Sequence, residues 1–452
     1  MSLAPGVKRQ VLIAAILYFG QLILGYNLSW SGPIIPKLQN PDESPLSHEL
    51  TETQVSLVGS LVYLGSIPGP FLVGWLSNYQ GRKPCFILGG ILTTLTYIIL
   101  LFTKNLPMLF IGRILNSCGL SIIVVTNIVY IGEMASTHIR GILLAAIGIF
   151  TTFGSIIMFS VGPFLSYQGT IYVGMAISVI FTAAVLSIPE SPMYYVLKDE
   201  EEKVLETLKK LGRLEDKDIL FETKKEYSST NEKMDWVELF TLKTNKKSLF
   251  IVLSMNILQH LSGVMAVIFF SSSIFEMANS SIDYNYAMII IGCFQLVGSV
   301  ISPTLIDSAG RRKLLLFSTA ACCMSMLAMG TYFYLLHLNL PALDSVKWLP
   351  LVILTFFFIG YDSGLGIIPN CLIGEMFTTN VRSKGSCVAL TSTWIAGFLL
   401  TTAFGSVVDN LGPYVAFWFF SFTCACAFVF TILYIPETKK ISLLEIQKCL
   451  GK

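Results

Sequence analysis

The feature that most constrains this chain is a set of charged and turn-forming landmarks that occurs twice, in the same order. Each set has a Gly-Arg pair, a glutamate with an arginine seven residues later, and a Pro-Glu pair. The first set is Gly81-Arg82, Glu133, Arg140 and Pro189-Glu190, and the second is Gly310-Arg311, Glu375, Arg382 and Pro436-Glu437. Apolar sequence fills most of the space between them. Two related halves of this kind predict a membrane transporter built from parallel repeats.

Composition places the chain among multi-spanning membrane proteins. Hydrophobic residues make up 54% of the chain and charged residues 13%, and the mean hydropathy is +0.69. These values lie far from soluble averages. About 18 apolar residues suffice to cross a bilayer as a helix. Such segments, numbered span 1 to span 12 in chain order, are 11–35, 53–77, 85–103, 107–130, 141–164, 170–188, 248–274, 285–306, 314–336, 348–372, 385–408 and 412–435. The predicted fold is therefore an all-α membrane protein with two six-helix pseudo-repeats.

The spans divide the chain into four predicted regions. Residues 1–188 and 248–436 form the six-helix halves, 189–247 form a linker, and 437–452 form a tail. The linker holds 26 of the chain's 58 Asp, Glu, Lys and Arg residues, which keeps it outside the membrane. Apolar residues at helical spacing in residues 200–211 favour short amphipathic helices there. A disordered loop is the alternative.

Basic residues in the short loops predict the orientation. They lie on one face if the spans alternate, and the positive-inside rule makes that face cytosolic. Both termini are then cytosolic, and we expect a multi-pass protein of the plasma membrane. Asn279-Ser280-Ser281 falls in an outer loop, so Asn279 is a candidate glycosylation site.

The sequence carries no catalytic signature. The ten cysteines lie in or beside the spans or in the tail, and the four histidines are dispersed. This distribution favours neither a disulfide framework nor a metal site. Neither a phosphate loop nor a Gly-x-Ser-x-Gly motif occurs. We expect a protein without enzymatic activity, cofactor or nucleic-acid partner, which interacts with the lipid bilayer and a small molecule.

Over essentially its whole length, the chain resembles the sugar porters of the major facilitator superfamily. Spans 1 and 2 are most similar to the facilitated trehalose transporters of insects, through Gly25…Ser29-Trp30-Ser31…Pro33 and Val58-Gly59-Ser60-Leu61. The resemblance implies the major facilitator fold and transport of a sugar by alternating access. The motifs that carry it are Gly81-Arg82-Lys83, Arg113, Glu133…Arg140-Gly141, Pro189-Glu190-Ser191-Pro192, Gln259-His260-Leu261-Ser262-Gly263, Gly310-Arg311-Arg312, Glu375…Arg382 and Pro436-Glu437-Thr438-Lys439.

The paired charges suggest a gate. Topology alone accounts for isolated basic residues, but it does not account for Glu133 and Glu375. Carboxylate–guanidinium pairs at a bundle rim can hold one conformation closed and separate when the halves rock. The resemblance implies an inner salt-bridge network that stabilises the outward-open state. Its predicted members are Arg82, Lys83, Glu133, Arg140, Arg311, Arg312, Glu375 and Arg382.

Polar side chains inside the spans indicate a substrate site, because they are costly in lipid unless they face a cavity or a partner. Amides donate and accept hydrogen bonds as sugar hydroxyls do, and an aromatic ring stacks on the C–H faces of a sugar. For Trp394, packing or interfacial anchoring is the alternative. The candidate ligands are Gln259, His260, Gln295 and Trp394.

The resemblance supports two of these candidate ligands, and it also shows positions at which this chain departs from the family's pattern. Gln259 matches the first Gln of the family's Gln-Gln-Leu-Ser-Gly motif, and Trp394 matches a tryptophan of the eleventh helix. His260 and Gln295 replace a Gln and an Asn of the family pattern. Four further departures put monosaccharide specificity and the strength of the gate in question. They are Asn78 for Asp, Gly148 for Gln, Met265 for Asn and Asn370 for Trp.

We predict a facilitative carrier for trehalose or a hexose. Proton-coupled porters of the family carry Asp where this chain has Asn27, and an amide cannot cycle a proton. Asp362 is the only acidic residue well inside a span, at a cost of about 2.5–3.5 kcal/mol on insertion scales. We interpret Asp362 as a gate or structural partner, with proton-coupled symport as one alternative. A non-transporting sugar sensor with the same fold is the other.

Overall fold

The computed structural model describes residues 5–48, 50–216, 232–377 and 381–437. Within these ranges, twelve helices are long and apolar enough to cross a membrane. This confirms the predicted all-α fold with twelve spans. The spans are Gly6–Ser29, Thr53–Tyr79, Arg82–Leu101, Leu106–Met134, His138–Val161, Tyr167–Val185, Lys243–Phe269, Tyr284–Ile306, Arg311–His337, Leu349–Ile373, Lys384–Leu411 and Pro413–Tyr434.

In the first half, span 1 is followed directly by a further helix, Ser31–Gln39, and span 2 consists of two helices. Pro68 separates these two, because a proline has no amide hydrogen to continue the helical ladder. Span 4 is one continuous helix of 29 residues. The helices of this half are Pro5–Ser29, Ser31–Gln39, Glu52–Ser66, Gly69–Tyr79, Arg82–Leu101, Leu106–Met134, Thr137–Val161 and Tyr167–Val185.

The linker contains the helices Pro192–Leu197, Glu201–Leu211 and Glu232–Thr241, with a 3-10 turn at Leu214–Asp216. The second of these is the amphipathic helix that the apolar spacing predicts. Val204 and Leu208 on its apolar side pack against the preceding linker helix. The helix ends at Gly212, whose φ of +66° is the left-handed conformation that glycine adopts at helix ends.

In the second half, span 10 is interrupted. A π-helical turn at Tyr361–Leu365 separates its two α-helical parts. The helices of this half are Lys243–Leu261, Val264–Phe269, Ser271–Met277, Tyr284–Ala309, Arg311–His337, Leu349–Gly360, Ile368–Met376, Arg382–Leu411 and Pro413–Tyr434, with a 3-10 turn at Pro341–Val346.

The chain forms two compact units whose limits differ from those of the sequence repeats. The first unit contains Met1–Asn27, Gly65–Gly154 and Gln168–Glu232, and the second contains Leu28–Leu64, Ser155–Tyr167 and Lys233–Lys452. The second unit thus includes the ends of spans 1, 2 and 5 as well as the helices of the second half. The region boundaries at residues 188 and 248 stay predictions from the sequence.

Small residues allow close packing within the second unit. The Thr402 hydroxyl donates a hydrogen bond to the Ser60 hydroxyl at 2.8 Å, and the Ser272 hydroxyl donates to the Gly32 carbonyl at 3.0 Å. A Cβ added at Gly32 would lie 2.6 Å from the Ser271 hydroxyl oxygen. Close helix approach at small residues is typical of membrane interiors. These contacts account for the inclusion of the ends of spans 1 and 2 in the second unit.

Candidate functional site

The interruption of span 10 is held in place by a serine of span 9. The Ser318 hydroxyl donates to the Gly360 carbonyl at 2.7 Å and accepts from the Leu365 amide at 2.8 Å. Non-helical backbone is tolerated inside a membrane only where other groups satisfy it or where it lines a cavity. π-helical turns occur often at functional sites. The residues around this turn are therefore the leading candidates for a ligand site.

Gln259 of span 7 contacts this interruption directly. Its side chain is 3% exposed, and its Nε2 donates to the Gly366 carbonyl at 2.9 Å. One of its donors thus stabilises the backbone of span 10. A ligand would use the second amide hydrogen and the carbonyl oxygen. The predicted role of Gln259 in sugar binding stays a prediction, and the structure adds a structural role.

His260 packs against a tyrosine of span 2. The rings of His260 and Tyr63 lie edge to face with their centroids 5.8 Å apart. The Tyr63 hydroxyl is buried and has no hydrogen-bond partner among the described residues. A Cβ added at Gly397 would lie 2.7 Å from the Tyr63 ring, so glycine makes room for the ring. The sequence does not single out Tyr63, because a tyrosine in an apolar helix is most often a packing residue.

Asp362 lies in the π-helical turn and faces span 8. Its Cβ is 3.3 Å from the position that a Cβ at Gly298 would occupy, and its carboxylate lies beside the Gln295 amide. Its Oδ2 is buried without a hydrogen-bond partner in the part of the chain that the structure describes. The neighbouring Tyr361 lies beside Gln259. The turn therefore brings the predicted residues of spans 7, 8 and 10 together.

Trp394 is half-buried and packs against the hydrophobic core of the second unit. It lies three residues before Gly397 and so on the same side of the span 11 helix. This environment agrees with the packing alternative, and its role as a stacking surface stays a prediction. Among the family departures, Asn78, Gly148 and Asn370 are exposed and Met265 is half-buried.

Inside the spans of the first unit lies a buried arginine. Arg113 of span 4 is 1% exposed, and its Nη1 donates to the Asn27 Oδ1 of span 1 at 2.8 Å. An arginine inside a span is costly and marks a functional site by default. The hydrogen-bond acceptor here is the oxygen of a neutral amide, which cannot exchange a proton at physiological pH.

At one end of the first half, a charged cluster joins the loops. In each half, we call the end that carries its Gly-Arg loop the basic face of that half. Arg82 Nη2 lies 2.7 Å from Glu133 Oε1, and the Ser191 hydroxyl also donates to Glu133. The backbone amides of Arg82 and Lys83 donate to the Glu190 carboxylate at 2.9 and 3.0 Å. The Glu190 carboxylate therefore caps the N-terminus of span 3, where helix amides and the helix dipole favour an anion.

The second half repeats this arrangement. Arg311 Nη2 lies 3.1 Å from Glu375 Oε1. The backbone amides of Arg311 and Arg312 donate to the Glu437 carboxylate at 3.0 and 3.2 Å. The Glu437 carboxylate thus caps span 9 as Glu190 caps span 3.

Each cap requires a glycine before it. Gly81 and Gly310 have φ values of +105° and +90°, which side chains rarely allow. A Cβ added at Gly81 would also lie 2.5 Å from the Glu190 carboxylate. The sequence shows the Gly-Arg and Pro-Glu pairs recurring together, but not that the glutamate caps the helix that begins at the arginine.

Burial raises the pKa of Glu190 above its ordinary value, although hydrogen bonds from the Ser191, Arg82 and Lys83 amides oppose this rise. The carboxylate thus sits in a partly desolvated environment in which its protonation is easier than in water.

Other predicted gate residues bind backbone carbonyls. Lys83 Nζ donates to the Leu186 carbonyl and Arg312 Nη2 to the Ile432 carbonyl, both at 2.7 Å. Arg140 Nη2 donates to the Ala135 carbonyl at 3.3 Å. The Arg382 side chain lies outside the described residues. The gating role of this network stays a prediction, as does glycosylation at Asn279, which is exposed and has a φ of +48°.

Comparison with known proteins identifies the family. The family model described as "Sugar (and other) transporter" matches residues 13–450. The facilitated trehalose transporter Tret1 of Polypedilum vanderplanki is 30% identical over 98% of this chain and 88% of its own length. Tret1 of Bombyx mori is 30% identical over 97% of this chain and 86% of its own length.

Solved structures agree on the fold. The inward-open conformation of the xylose transporter XylE from E. coli has a TM-score of 0.80 at 20% identity, covering 97% of this chain and 99% of that one. A second structure shows the proton:xylose symporter XylE bound to 6-bromo-6-deoxy-D-glucose. It has a TM-score of 0.79 at 20% identity, and the match covers 98% of this chain and 100% of that one. This likeness confirms the major facilitator fold. The family match and the twelve spans together show that the chain is a multi-pass membrane transporter and not an enzyme, and that it belongs to the sugar transporter family.

Proposed function

We propose that the protein is a facilitative sugar carrier of the plasma membrane that works by alternating access without proton coupling. The contact between Arg113 and Asn27 carries this proposal. A carboxylate beside the buried arginine could gain and lose a proton during the cycle, whereas the Asn27 amide cannot. Residues 53–189 contain a single acidic residue, Glu133, which lies at the basic face. The spans of the first half therefore lack a residue that could take over this role.

Trehalose is the proposed substrate, with a hexose as the alternative. Relatives at 30% identity are named facilitated trehalose transporters. The polar and aromatic groups around span 10, which include Gln259, Tyr63 and Gln295, offer hydrogen-bonding groups of the kind that a sugar requires. The buried Tyr63 hydroxyl, which has no hydrogen-bond partner within the described ranges, is the group with the most to gain from a bound sugar hydroxyl.

Two features support alternating access. The glycine and serine contacts in the second unit, such as Ser272 with Gly32, are small enough to separate and form again during a cycle. The charged pairs at the basic face can break in a similar way. We place the basic face and both termini in the cytosol, as the loop charges indicate.

Proton-coupled symport through Asp362 is the second candidate. Its buried Oδ2 has no hydrogen-bond partner in the described part of the chain, which is the environment in which a carboxyl group retains or exchanges a proton. This candidate places the coupling group in the second unit, next to Gln295.

Radiolabelled sugar uptake in oocytes tests the proposal. We expect saturable trehalose uptake that exceeds uptake in water-injected cells, is unaffected by a protonophore and evokes no current. Glucose and fructose in parallel assays distinguish a trehalose carrier from a hexose carrier. A sugar-evoked inward current that increases as external pH falls would favour the Asp362 candidate. Normal surface expression without uptake of any of the three sugars would contradict the proposed substrate class.

A further inference from the structure

A short helix in front of span 7 exposes an apolar face. In the helix Glu232–Thr241, Leu239 is buried in the hydrophobic core of the second unit. Trp236, Val237 and Phe240 are exposed, and the rings of Trp236 and Phe240 stack with their centroids 6.4 Å apart. We call these three exposed residues the Trp236 patch. A helix that is anchored on one side and apolar on its exposed side is typical of the membrane interface.

The depth of the start of span 7 in the membrane follows from its neighbours. The Ser248 hydroxyl donates to the Met376 carbonyl at 3.0 Å, which places the start of span 7 at the basic face of the second half. Phe250 is exposed and packs against Tyr434, the last residue of span 12, with ring centroids 5.6 Å apart. Tyrosine is enriched where membrane spans meet the lipid headgroups. Since a helix rises about 1.5 Å per residue, Lys243 lies about 10 Å along the helix from Phe250 and therefore at the level of the headgroups.

Three lysines lie between the Trp236 patch and the apolar part of span 7. Lys243, Lys246 and Lys247 are exposed, and their spacing places them on one side of the span 7 helix. None of them forms a salt bridge within the described ranges. Glu238 lies two residues from either ring of the patch and therefore on the opposite side of its helix. The surface next to the patch is thus positively charged.

We propose that the Trp236 patch and these three lysines bind the headgroup region of a bilayer that contains anionic lipids. The aromatic rings enter between the headgroups, and the lysines contact the negatively charged groups of the lipids. An aromatic patch alone would suit any bilayer, whereas lysines beside it select negatively charged lipids. This contact holds the last linker helix against the bilayer next to the first helix of the second half. It includes none of the proposed sugar ligands.

Hydrogen–deuterium exchange of the full-length protein in lipid nanodiscs tests the contact. The discs contain phosphatidylcholine alone or phosphatidylcholine with added phosphatidylserine. We expect the backbone amides of residues 236–242 to exchange about tenfold more slowly with phosphatidylserine, because each lysine adds attraction to the charged headgroups and the contact stabilises the helix. The difference should shrink in high salt, which screens charges. Both faces of the disc carry the same lipids, so the result does not depend on the proposed orientation or on sugar transport.

Replacing all three lysines beside the patch with glutamine should abolish the difference between the two kinds of disc. The matched control is Lys203→Gln/Lys209→Gln/Lys210→Gln, which changes three exposed lysines of an earlier linker helix and should retain the difference. Trp236→Ser/Phe240→Ser should exchange faster in both kinds of disc.

Equal exchange of the wild type in both kinds of disc would overturn the proposal. A difference that persists when the three lysines beside the patch are replaced would place the anionic lipid elsewhere. Exchange that is equally slow in detergent and in both kinds of disc would show that a protein segment, and not lipid, covers the patch.

Discussion

The two halves of the chain share the charged arrangement at the basic face and differ in their interiors. In each half, an arginine after a positive-φ glycine pairs with a glutamate, and a Pro-Glu carboxylate caps the helix that begins there. Inside the bundle, span 4 is one continuous helix with a buried arginine, whereas its counterpart, span 10, is interrupted and carries Asp362. The helix-end contacts are therefore shared by the two halves, whereas the backbone and the buried polar residues inside spans 4 and 10 differ.

The shared salt bridges also differ in their surroundings. The Arg82 and Glu133 side chains are 7% and 17% exposed, against 19% and 28% for Arg311 and Glu375. The distance between the charged atoms is 2.7 Å in the first half and 3.1 Å in the second. Because solvent screening weakens ion pairs, the bridge of the first half should contribute more to stability.

Removing one carboxylate in each half tests this difference. We expect Glu133→Ala to lower the free energy of unfolding by about 3 kcal/mol, because it leaves Arg82 buried without its partner. Glu375→Ala should cost about 1–2 kcal/mol, since Arg311 is better solvated. Denaturant unfolding of the purified variants in detergent measures both. The double variant Arg82→Ala/Glu133→Ala should recover part of the stability that Glu133→Ala loses. Equal losses in Glu133→Ala and Glu375→Ala would show that the two salt bridges contribute equally.

Hydropathy alone was sufficient to predict the twelve spans, and the twofold landmarks were sufficient to single out Glu133 and Glu375. The partner of Glu133 is less obvious from the sequence. It binds Arg82, which is 51 residues away, whereas spacing draws attention to Arg140 within the same loop. Only the folded structure shows which distant side chain reaches a carboxylate.

The interior of the second half was harder to predict. Gln259 and Asp362 stand out in the sequence because they are polar residues in apolar spans. The π-helical turn and the contact of Gln259 with the Gly366 carbonyl depend on tertiary packing that periodicity does not report. Tyr63 gives no signal in the sequence, because only its folded surroundings show that its buried hydroxyl has no hydrogen-bond partner among the residues that the structure describes.

The close contact at Gly32 gives a test that is confined to the second unit. Gly32→Val would push against the Ser271 hydroxyl and the Ile268 carbonyl, at a cost of about 1–3 kcal/mol for overpacking. We expect the packed ends of spans 1 and 7 to separate more often. A cysteine introduced at the buried position Ser272 reports this opening. In Gly32→Val, it should react with a membrane-impermeant maleimide about tenfold faster than the same cysteine does in a protein that keeps Gly32. Gly74→Val, where an added Cβ meets open space, is the matched control. An unchanged reaction rate in Gly32→Val would show that this contact does not limit opening.

Loss of the Gln259 amide should affect sugar affinity modestly. One net hydrogen bond to a neutral group is worth about 0.5–1.5 kcal/mol, so Gln259→Ala should weaken sugar affinity about three- to tenfold. Gln21→Ala is the matched control in the first half, since Gln21 is a buried amide of span 1 that accepts from Thr151. It should leave affinity unchanged. Concentration-dependent uptake at matched surface expression measures both, and wild-type kinetics in Gln259→Ala would place the site elsewhere.

The smallest expected effect concerns the cap of span 3. Burial raises the pKa of Glu190, so the folded state takes up a proton at a higher pH than the unfolded state does. Relative to Glu190→Gln, the wild type should therefore gain stability as pH falls from neutral through the raised pKa towards the ordinary carboxyl range. It should lose that gain as pH rises again. Unfolding midpoints of both proteins across this range report the difference, and parallel curves would contradict it.

Sugar accumulation in proteoliposomes tests the uncoupled mechanism most directly. The purified protein is reconstituted and supplied with radiolabelled trehalose, with and without an inwardly directed proton gradient, and protein-free vesicles serve as the control. Because Asn27 replaces the carboxylate that could cycle a proton, we predict that internal trehalose rises to the external concentration and stops there in both conditions. Accumulation above the external concentration that requires the gradient and collapses with a protonophore would contradict the account.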